Sequence, residues 1–220
     1  MSLSVIIPAL NAAAALPGCI GALEGLPGEV VVVDGGSADG TADVAARLGA
    51  LVVHAPRGRG RQIAAGVAAA RGEWLLLLHA DTVLARGWAA AAYRFMAEQP
   101  DKAAYFRFAL DAGEPAARRL ERLVAWRCRR LGLPYGDQGL LVSRTLLAEL
   151  GGVRDLPLME DVDLVRRIGR ARLVGLEVDA LTSAARWRRE GWTMRSVHNL
   201  FCLGLYFLGV PPRLIARLYD

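Results

Sequence analysis

The sequence is short of lysine, cysteine and long apolar segments, and each shortage limits what the protein can be. Lys102 is the only lysine among 27 basic residues, in a chain of 220 residues with a net charge of +5. The arginine excess suits bidentate contacts to phosphate, although codon bias would produce the same composition. The three cysteines, Cys19, Cys128 and Cys202, are scattered along the chain. They predict reduced thiols rather than a disulfide framework or a zinc site.

A membrane-spanning helix is not expected either. The run Leu200 to Val210 is about half of the ~20 residues that such a helix needs, and Gly204 and Gly209 interrupt it. The N-terminus carries no positively charged stretch, so we expect no signal peptide. We therefore expect a cytoplasmic protein, and peripheral contact with the inner face of the membrane stays open.

Short apolar runs alternate with helical patterns over the first hundred residues. Strands are predicted at residues 3–7, 29–33, 51–54 and 74–78, with helices between them that begin at residues 11, 41 and 62. This alternation indicates parallel βαβ units. The second half is less regular, with an exposed strand predicted at 103–110, an arginine-rich helix at 114–131, a strand at 171–178 and a mostly helical stretch at 193–208. No repeat or low-complexity linker divides the chain, which favours a single α/β domain.

Two of the predicted strands lead into an aspartate. The run 74–78 is followed by His79, Ala80 and Asp81, and the run 29–33 by Asp34. Ligands of open α/β sheets bind beyond the carboxyl ends of the strands. Asp34 alone would be interpreted as a cap of the following turn. Together the two aspartates predict a shared crevice, in which Asp81 is a metal ligand that faces a diphosphate.

A basic glycine-rich loop at residues 57–61 precedes a predicted helix. Its glycines allow close backbone approach, its arginines suit anions, and the following helix N-terminus favours bound phosphate. A solvated basic loop is the plain alternative. The loop is also a near miss to a dinucleotide-binding fingerprint, but Ile63 occupies the third glycine position.

Three acids, Glu160, Asp161 and Asp163, open a predicted helix at 160–168. The helix dipole stabilises acids at this position, so capping is a real alternative, yet three acids exceed what a cap requires. Glu160 and Asp163 are three residues apart and share one face. Asp161 points elsewhere and is the candidate for a general base, a role that contributes on the order of 10²–10⁴ in rate.

Other candidates are polar residues of a turn, a cation beside an aromatic ring and a lone histidine: Gly136, Asp137, Gln138, Arg186, Trp187 and His198. The turn by itself is only a turn. An arginine next to tryptophan could contact a sugar, although such pairs are common on protein surfaces. A histidine on an apolar helix is more often a core residue than the metal ligand considered for His198.

Together these segments resemble family 2 glycosyltransferases with the GT-A fold, over most of the chain. Residues 4–11 are similar to the opening strand of that family, and residues 31–41 to its second strand and loop. The segment 79–81 lies where the family has a metal-binding Asp-x-Asp, and Glu160-Asp161 where it has a catalytic pair. The turn 136–139, with residues 158–161, is similar to a bacterial subgroup of radical-SAM/selenodomain-associated transferases.

The resemblance implies a GT-A domain with a Rossmann-like, mostly parallel sheet flanked by helices. Residues 1–100 would bind the nucleotide sugar, and residues 101–220, with the C-terminal helices, would bind the acceptor. The activity implied is inverting, metal-assisted transfer of a sugar from a UDP- or GDP-linked donor to an acceptor hydroxyl. The acceptor is unknown, a lipid-linked one stays open, and no nucleic-acid partner is expected.

Individual roles follow from the same resemblance. The implied donor-binding residues are Pro8, Ala9, Asn11, Asp34, Gly35, Arg57, Arg61 and Asp81. Asp81 would bind Mg²⁺ or Mn²⁺ across the diphosphate, and His198 is the second metal-ligand candidate. Asp161, beside Glu160, would deprotonate the acceptor hydroxyl. The implied acceptor-binding residues are Gly136, Asp137, Gln138, Arg186 and Trp187.

Three positions depart from the family pattern and two other functions stay open. Ala12 stands where a glutamate usually follows Asn11, Ala64 where an asparagine is common, and His79 in place of the first aspartate of Asp-x-Asp. A sugar-phosphate nucleotidyltransferase would normally need a glycine-rich loop after the first strand, which residues 8–11 do not supply. A non-catalytic membrane-surface module is suggested by the arginine-rich helix and the run 200–210.

Overall fold

Four parallel strands form one side of the sheet. The computed structural model describes residues 1–23 and 28–219. In it, β1 (Leu3–Ala9) lies between β2 (Glu29–Asp34) and β4 (Trp74–Leu77), and β3 (Leu51–His54) pairs with β2. All four predicted strands of the first hundred residues are therefore confirmed, and their carboxyl ends lie at one edge.

The other strands extend the sheet in mixed orientation: β5 (Thr82–Leu84), β6 (Ala103–Leu110), β7 (Leu140–Ser143) and β8 (Leu173–Thr182). The order across the eight strands is β3-β2-β1-β4-β7-β6-β8-β5. β7 is antiparallel to both neighbours, β6 and β8 are parallel, and β5 is antiparallel to β8. The predicted α/β domain with a mostly parallel sheet is confirmed.

Helices cover both faces of this sheet. Their bounds are α1 (Leu16–Gly21), α2 (Thr41–Arg47), α3 (Arg59–Ala69), α4 (Trp88–Glu98), α5 (Pro115–Leu131), α6 (Arg144–Glu149), α7 (Glu160–Ile168), α8 (Ala185–Glu190), α9 (Trp192–Phe207) and α10 (Pro212–Tyr219). Short 3₁₀ turns lie at Gly136–Gln138 and Arg170–Arg172. Within the described ranges, no helix combines the length and apolar character that crossing a membrane requires.

The leucine run of β4 shows why the sheet is buried on both faces. Successive side chains of a strand point to opposite faces. Leu76 and Leu78 accordingly pack into the core layer that contains Trp88, while Leu75 and Leu77 pack into the layer beneath α7. A continuous apolar run, rather than an alternating one, is what a strand between two helical layers requires.

The strand at 103–110 was predicted to be exposed, and this prediction is wrong. β6 lies between β7 and β8, and Arg107 is its only exposed residue. Arg107 forms an ion pair with Asp179 of β8, so one arginine can sit at the surface of an otherwise buried strand. The alternation of small and aromatic residues therefore reflects two packed faces rather than solvent on one side.

Several element bounds also differ from the predictions. β1 continues through Pro8 to Ala9 because β4 has ended beside it: the Leu78 amide donates to the Ile6 carbonyl at 3.0 Å, and Pro8 lies two residues further along. β8 continues to Thr182 rather than ending at residue 178. α3 begins at residue 59 instead of 62, and α1 at residue 16 instead of 11. β5, α8 and α10 were not predicted.

Candidate active site

A cleft of about 670 Å³ opens beyond the carboxyl ends of β1 and β4. On the side of the parallel strands it is lined by Pro8, Ala9, Asn11, Arg57, Arg59, His79 and Asp81. On the other side it is lined by Tyr135, Gly136, Asp137, Asp161, Trp187, Arg195 and Asn199. Asp81 and Asp161 are 80 positions apart in the chain, and the fold brings both to this one cleft.

Asp81 lies at a tight turn between β4 and β5. The Thr82 amide donates to the His79 carbonyl at 3.1 Å, which closes the turn around residues 80 and 81. The Asp81 side chain is exposed in the cleft. A hydrogen-bonded turn shortly after β4 therefore holds this carboxylate at the edge where ligands of such sheets bind.

Asp161 is held at the start of α7 by two backbone amides. Its Oδ2 accepts from the Gly136 amide at 2.8 Å, and its Oδ1 accepts from the Val162 amide at 2.7 Å. Met159, at the N-cap, has a left-handed φ of 65°, a strained backbone for a residue other than glycine. A Cβ at Gly136 would lie 2.4 Å from the His79 ring, so this close approach requires glycine.

Glu160 points below the cleft rather than into it. Its side chain is 1% exposed and faces a separate cavity of about 30 Å³, which His79 and Asp161 also line. The Arg59 Nε lies 3.4 Å from its Oε1. Burial raises the pKa of Glu160 to about 7, the charge of Asp161 adds to this rise, and Arg59 opposes it.

Asp137 is a second acid with a raised pKa. Burial raises it to about 6, helped by the negative charges of Asp161 and Asp81 and opposed by Arg127 and Arg59. Its Oδ1 is buried and accepts no hydrogen bond from the described part of the chain. Asp81, Asp137 and Asp161 thus share one cleft, and at Asp137 the nearby arginines do not outweigh burial and the other negative charges. Such a group of acids favours binding of a cation or of a proton donor.

The side chains fit a divalent cation only as part of a shared site. Within residues 1–23 and 28–219, no group of three His, Cys, Asp or Glu side chains could hold a metal ion. Mg²⁺ is commonly bound by one or two carboxylates together with substrate phosphates. The exposed carboxylate of Asp81 fits that arrangement, since it leaves the remaining positions to a phosphate-bearing ligand and water.

Asp34 and Gly35 lie at the end of β2 but do not line the cleft. Asp34 is 4% exposed and accepts hydrogen bonds from the Gly36 and Ser37 amides and from the Ser37 hydroxyl. Burial would raise its pKa, but the hydrogen bonds from Ser37 and Gly36 outweigh burial and lower it. These contacts are those of a turn cap.

The Asp34 loop reaches the cleft through Asn11. The Asn11 amide donates to the Ser37 Oγ at 2.9 Å, and its Oδ1 accepts from the Ala38 amide at 3.0 Å. Gly35 allows a close contact on the other side, because a Cβ there would lie 3.0 Å from the Gln62 side chain. The loop is therefore a rigid support for the cleft wall.

Of the arginines in the loop 57–61, two line the cleft and one does not. Arg57 and Arg59 belong to the cleft wall, whereas the Arg61 Nε pairs with Asp155 at 2.8 Å. Arg59 and Gln62 are three residues apart at the start of α3 and therefore share a face. Gln62 is buried and donates to the Ala9 and Val33 carbonyls at 2.7 and 2.8 Å.

Only some of the residues predicted to bind the acceptor lie at the cleft. Gly136, Asp137 and Trp187 line the cleft. Gln138 is buried instead: its Nε2 donates to the Phe106 carbonyl at 3.0 Å, so it holds the turn against β6. The side chain of Arg186 lies outside what the structure describes.

His198 is not brought to the cleft. Its Nε2 lies 3.8 Å from the Cys202 Sγ, on the part of α9 that packs on the protein. The residues of α9 that line the cleft are Arg195, Asn199 and Leu203. Successive helical residues are about 100° apart, so His198 and Asn199 face different surroundings.

Several residues that line the cleft were not predicted as site residues, among them Gln62, Tyr135, Arg195 and Asn199, and Arg59 was considered only as part of the loop 57–61. A helix start at residue 59 would have separated Arg59 from Arg61 by helical phase alone. The spacing of Arg195 and Asn199, four residues apart, places them on one helix face. Tyr135, which contacts the Arg127 guanidinium at 3.5 Å, had no local signal.

The sequence is similar to known transferases. The family model described as "Glycosyl transferase family 2" matches residues 4–144. A PGL/p-HBAD biosynthesis glycosyltransferase of Mycobacterium bovis is 43% identical over 91 residues, which are 37% of this chain. The match spans 36% of the length of that relative.

Solved structures share the fold at low sequence identity. A mannosyltransferase of Pyrobaculum calidifontis, in complex with GDP-Man and Mn²⁺, has a TM-score of 0.69 and 22% identity, over 90% of this chain and 61% of that one. TarS of S. aureus, in complex with UDP, has a TM-score of 0.66 and 19% identity, over 84% and 61%. The likeness places the chain in the GT-A fold.

Proposed function

The chain belongs to glycosyl transferase family 2, and we propose that it transfers a sugar from a nucleotide-sugar donor to an acceptor hydroxyl, with inversion and with help from a divalent cation. The observation that carries the proposal is the shared cleft of Asp81 and Asp161. One acid faces it from the parallel strands and the other from α7. Two separate carboxylates suit two tasks, at the leaving diphosphate and at the incoming hydroxyl.

Residues 1–100 form the donor half in this proposal. Pro8, Ala9 and Asn11 would contact the nucleotide, with Asp34 and Gly35 holding the loop that supports Asn11. Arg57 and Arg59 would face the diphosphate, because guanidinium groups bind phosphate oxygens with paired hydrogen bonds. Arg61 would act only indirectly, through its pair with Asp155. UDP- and GDP-linked sugars are the donors to test, since similar structures contain UDP or GDP-Man.

Asp81 would hold Mg²⁺ or Mn²⁺ together with oxygens of the diphosphate. When bound, the cation would offset the charge that develops on the leaving group. His79 takes the place of a first aspartate as an uncharged ring, because burial and the nearby Arg59 keep its pKa well below the usual value and so disfavour the protonated, cationic form. His198 is outside the cleft and has no part in this proposal.

Asp161 would be the general base. It removes the proton from the acceptor hydroxyl while the oxygen attacks the anomeric carbon on the face opposite the diphosphate. The new carbon–oxygen bond forms as the bond to the diphosphate breaks, and the configuration inverts. The Gly136 and Val162 amides fix the carboxylate in place for this step. Glu160, paired with Arg59 below the cleft, would hold the start of α7.

The acceptor half comprises residues 101–220 in this proposal. The acceptor would enter beside Trp187 and Asp137, with Gly136 at the floor of the cleft and Gln138 holding the turn. We propose that the enzyme acts in the cytoplasm at the inner face of the membrane, on a lipid-linked acceptor. We also propose that the chain belongs to the radical-SAM/selenodomain-associated subgroup, a proposal supported by the similarity of residues 136–139 and 158–161.

A donor screen followed by product analysis tests this function. UDP- and GDP-sugars are titrated with and without Mn²⁺, and binding is detected as a rise in melting temperature. The donor that binds is then incubated with simple alkyl alcohols and glycosides, and the anomeric configuration of the product is read by NMR. A product with the donor's configuration would reject inversion. Release of pyrophosphate from NTP plus sugar phosphate would favour the nucleotidyltransferase alternative instead.

A further inference from the structure

The last long helix, α9, exposes an apolar face to solvent. Its large outward side chains, including the C-cap, are Met194, Val197, Leu200, Phe201, Phe207 and Leu208, and we call them the α9 outer face. Their exposed fractions run from 46% for Phe207 to 83% for Leu208. A surface helix normally directs charged side chains outward. Contiguous exposed apolar surface of this kind marks an interaction site.

The opposite side of α9 belongs to the cleft. Arg195, Asn199 and Leu203 line the cleft and Cys202 is fully buried. These positions are spaced by about one helical turn, and the residues of the outer face fall between them. One helix therefore separates the cleft from the exposed apolar face, and its diameter with side chains is about 10 Å.

The charged side chains of α9 and α10 are all basic. Residues 191–219 contain no aspartate or glutamate. Arg213 and Arg217 are exposed on α10, next to the exposed Leu214 and Leu218. Arg166, also exposed, lies 5.0 Å from the ring of Phe207. An apolar face bordered by arginines is complementary to the acyl chains and headgroups of an anionic bilayer.

We propose that the α9 outer face inserts into the interfacial layer of an anionic membrane and brings the cleft within one helix diameter of the headgroups. This face would hold the protein at the membrane location proposed above. The inference rests on the proposed function in one respect only, namely that membrane contact would serve to capture a lipid-borne hydroxyl. A second copy of the chain fits less well. In a two-fold contact the same patch meets itself, and the arginines of both copies would meet without an acid to pair them.

Vesicle co-sedimentation of the whole chain tests the surface. The vesicles are phosphatidylcholine alone or with about 30 mol% phosphatidylglycerol, a composition that gives a negative surface potential. Leu200 on α9 and Leu123 on α5 are a matched pair, since each is 63% exposed on a helix. We expect the wild type to bind the anionic vesicles. Leu200→Glu should weaken binding roughly tenfold, and Leu123→Glu should stay within about twofold of wild type.

Three results would overturn the proposal. The first is no sedimentation of the wild type with anionic vesicles. The second is an equal loss in both variants, which would assign binding to the arginine-rich α5 or to charge alone. The third is a wild-type dimer in sedimentation velocity that Leu200→Glu converts to a monomer, which would make the face an interface between copies.

Folding and catalysis are controlled separately. Val197→Glu, on the same face, should repeat the Leu200→Glu result, and circular dichroism reports whether each variant is folded. Binding of the nucleotide sugar with Mn²⁺ should be unchanged in both, because neither side chain lines the cleft. If the wild type binds vesicles but no nucleotide sugar, the surface stands and the proposed function fails. If the wild type binds the nucleotide sugar but no vesicles, the membrane surface is rejected and the proposed sugar transfer stands.

Discussion

Two acids on opposite sides of the cleft have pKa values shifted in opposite directions. Behind the wall formed by the parallel strands, Asp34 is buried, yet hydrogen bonds from its own loop lower its pKa. On the other wall, burial raises the pKa of Asp137 to about 6, and one of its oxygens accepts no hydrogen bond from the described residues. A satisfied acid supports a loop, whereas an unsatisfied acid is available to a ligand.

The same contrast exists within one helix. Asp163 of α7 pairs through Oδ1 with Arg154 at 2.9 Å and through Oδ2 with Arg167 at 2.8 Å, so both carboxylate oxygens are occupied by ion pairs within the protein. Asp161, two residues earlier, is held by backbone amides and faces the cleft. Proximity in sequence therefore says little about role, and the surroundings of each carboxylate decide between support and chemistry.

The largest expected effect breaks the contrast on α7. Asp161→Asn should lower kcat by about 10²–10⁴, the usual contribution of a general base, and keep the donor Kd within about threefold. The measurements are steady-state rates and calorimetric titration with the nucleotide sugar.

Asp163→Asn is the matched control, because it should leave kcat per folded molecule unchanged. It should lower the free energy of unfolding by about 2–4 kcal/mol, since two arginines lose their buried partner. If Asp161→Asn were as active as the wild type, Asp161 would not be the base.

The next effect separates Asp81 from acids outside the cleft. Asp81→Ala should remove the Mn²⁺-dependent part of donor affinity, roughly 10- to 100-fold, because the cation would lose the carboxylate that we propose as its ligand. Calorimetric titration of the nucleotide sugar with and without Mn²⁺ measures it. Asp155→Ala, whose carboxylate pairs with Arg61, is the control and should titrate like the wild type. An unchanged Mn²⁺ response in Asp81→Ala would reject the metal-ligand role.

The two arginines of α3 sharpen the same comparison. Arg59→Gln should lower kcat/KM by roughly 10-fold or more, because its guanidinium faces the cleft and pairs with Glu160. Arg61→Gln should stay within about twofold, as exposed ion pairs contribute little. Parallel kinetics of the two variants decide between them. Equal losses would mean that charge in this loop, rather than its direction, matters for the donor.

The smallest effect concerns the pH dependence of stability. The pKa of Glu160 is raised to about 7 in the folded protein, so the folded state holds the proton more tightly than the unfolded state. Stability should therefore fall as pH rises from about 5 to 8, with Asp137 adding in the same direction. Glu160→Gln should remove on the order of 2 kcal/mol of that fall, measured by urea unfolding at both pH values. A pH dependence identical to the wild type would contradict the burial of an ionisable Glu160.

The four parallel strands at the start of the chain could largely be predicted because their signals are local. The runs that form β2 and β3 are short, β-branched and ended by polar residues, and each was predicted to within one residue at either end. The loop that begins at Asp34 was also expected from its glycines. The part of the sheet beyond β4 was harder to predict, because β5 has only three residues and pairs with the distant β8. Pairing of that kind leaves little trace in the local sequence.

Side-chain direction was the main limit within the site. Arg59 and Arg61 are the same residue type in the same short loop, so the local sequence does not distinguish them. The first turn of α3 directs Arg59 to the cleft and Arg61 to Asp155. His198 and Asn199 differ in the same way on α9. An error of three residues in a helix start changes the face on which a side chain lies, and such boundaries are the least certain part of any pattern.

The sequence by itself determined the α/β alternation, the buried leucine strand and the acids that follow strand and helix ends, because apolar spacing and chain punctuation act over a few residues. Only the tertiary structure decided that Asp81 and Asp161 meet in one cleft and that α9 exposes an apolar face to solvent. It also decided that Asp34 and Asp163 bind other groups of the protein, through hydrogen bonds and ion pairs respectively. The physical reason is that burial, helix phase and electrostatic surroundings arise from contacts between residues far apart in the chain.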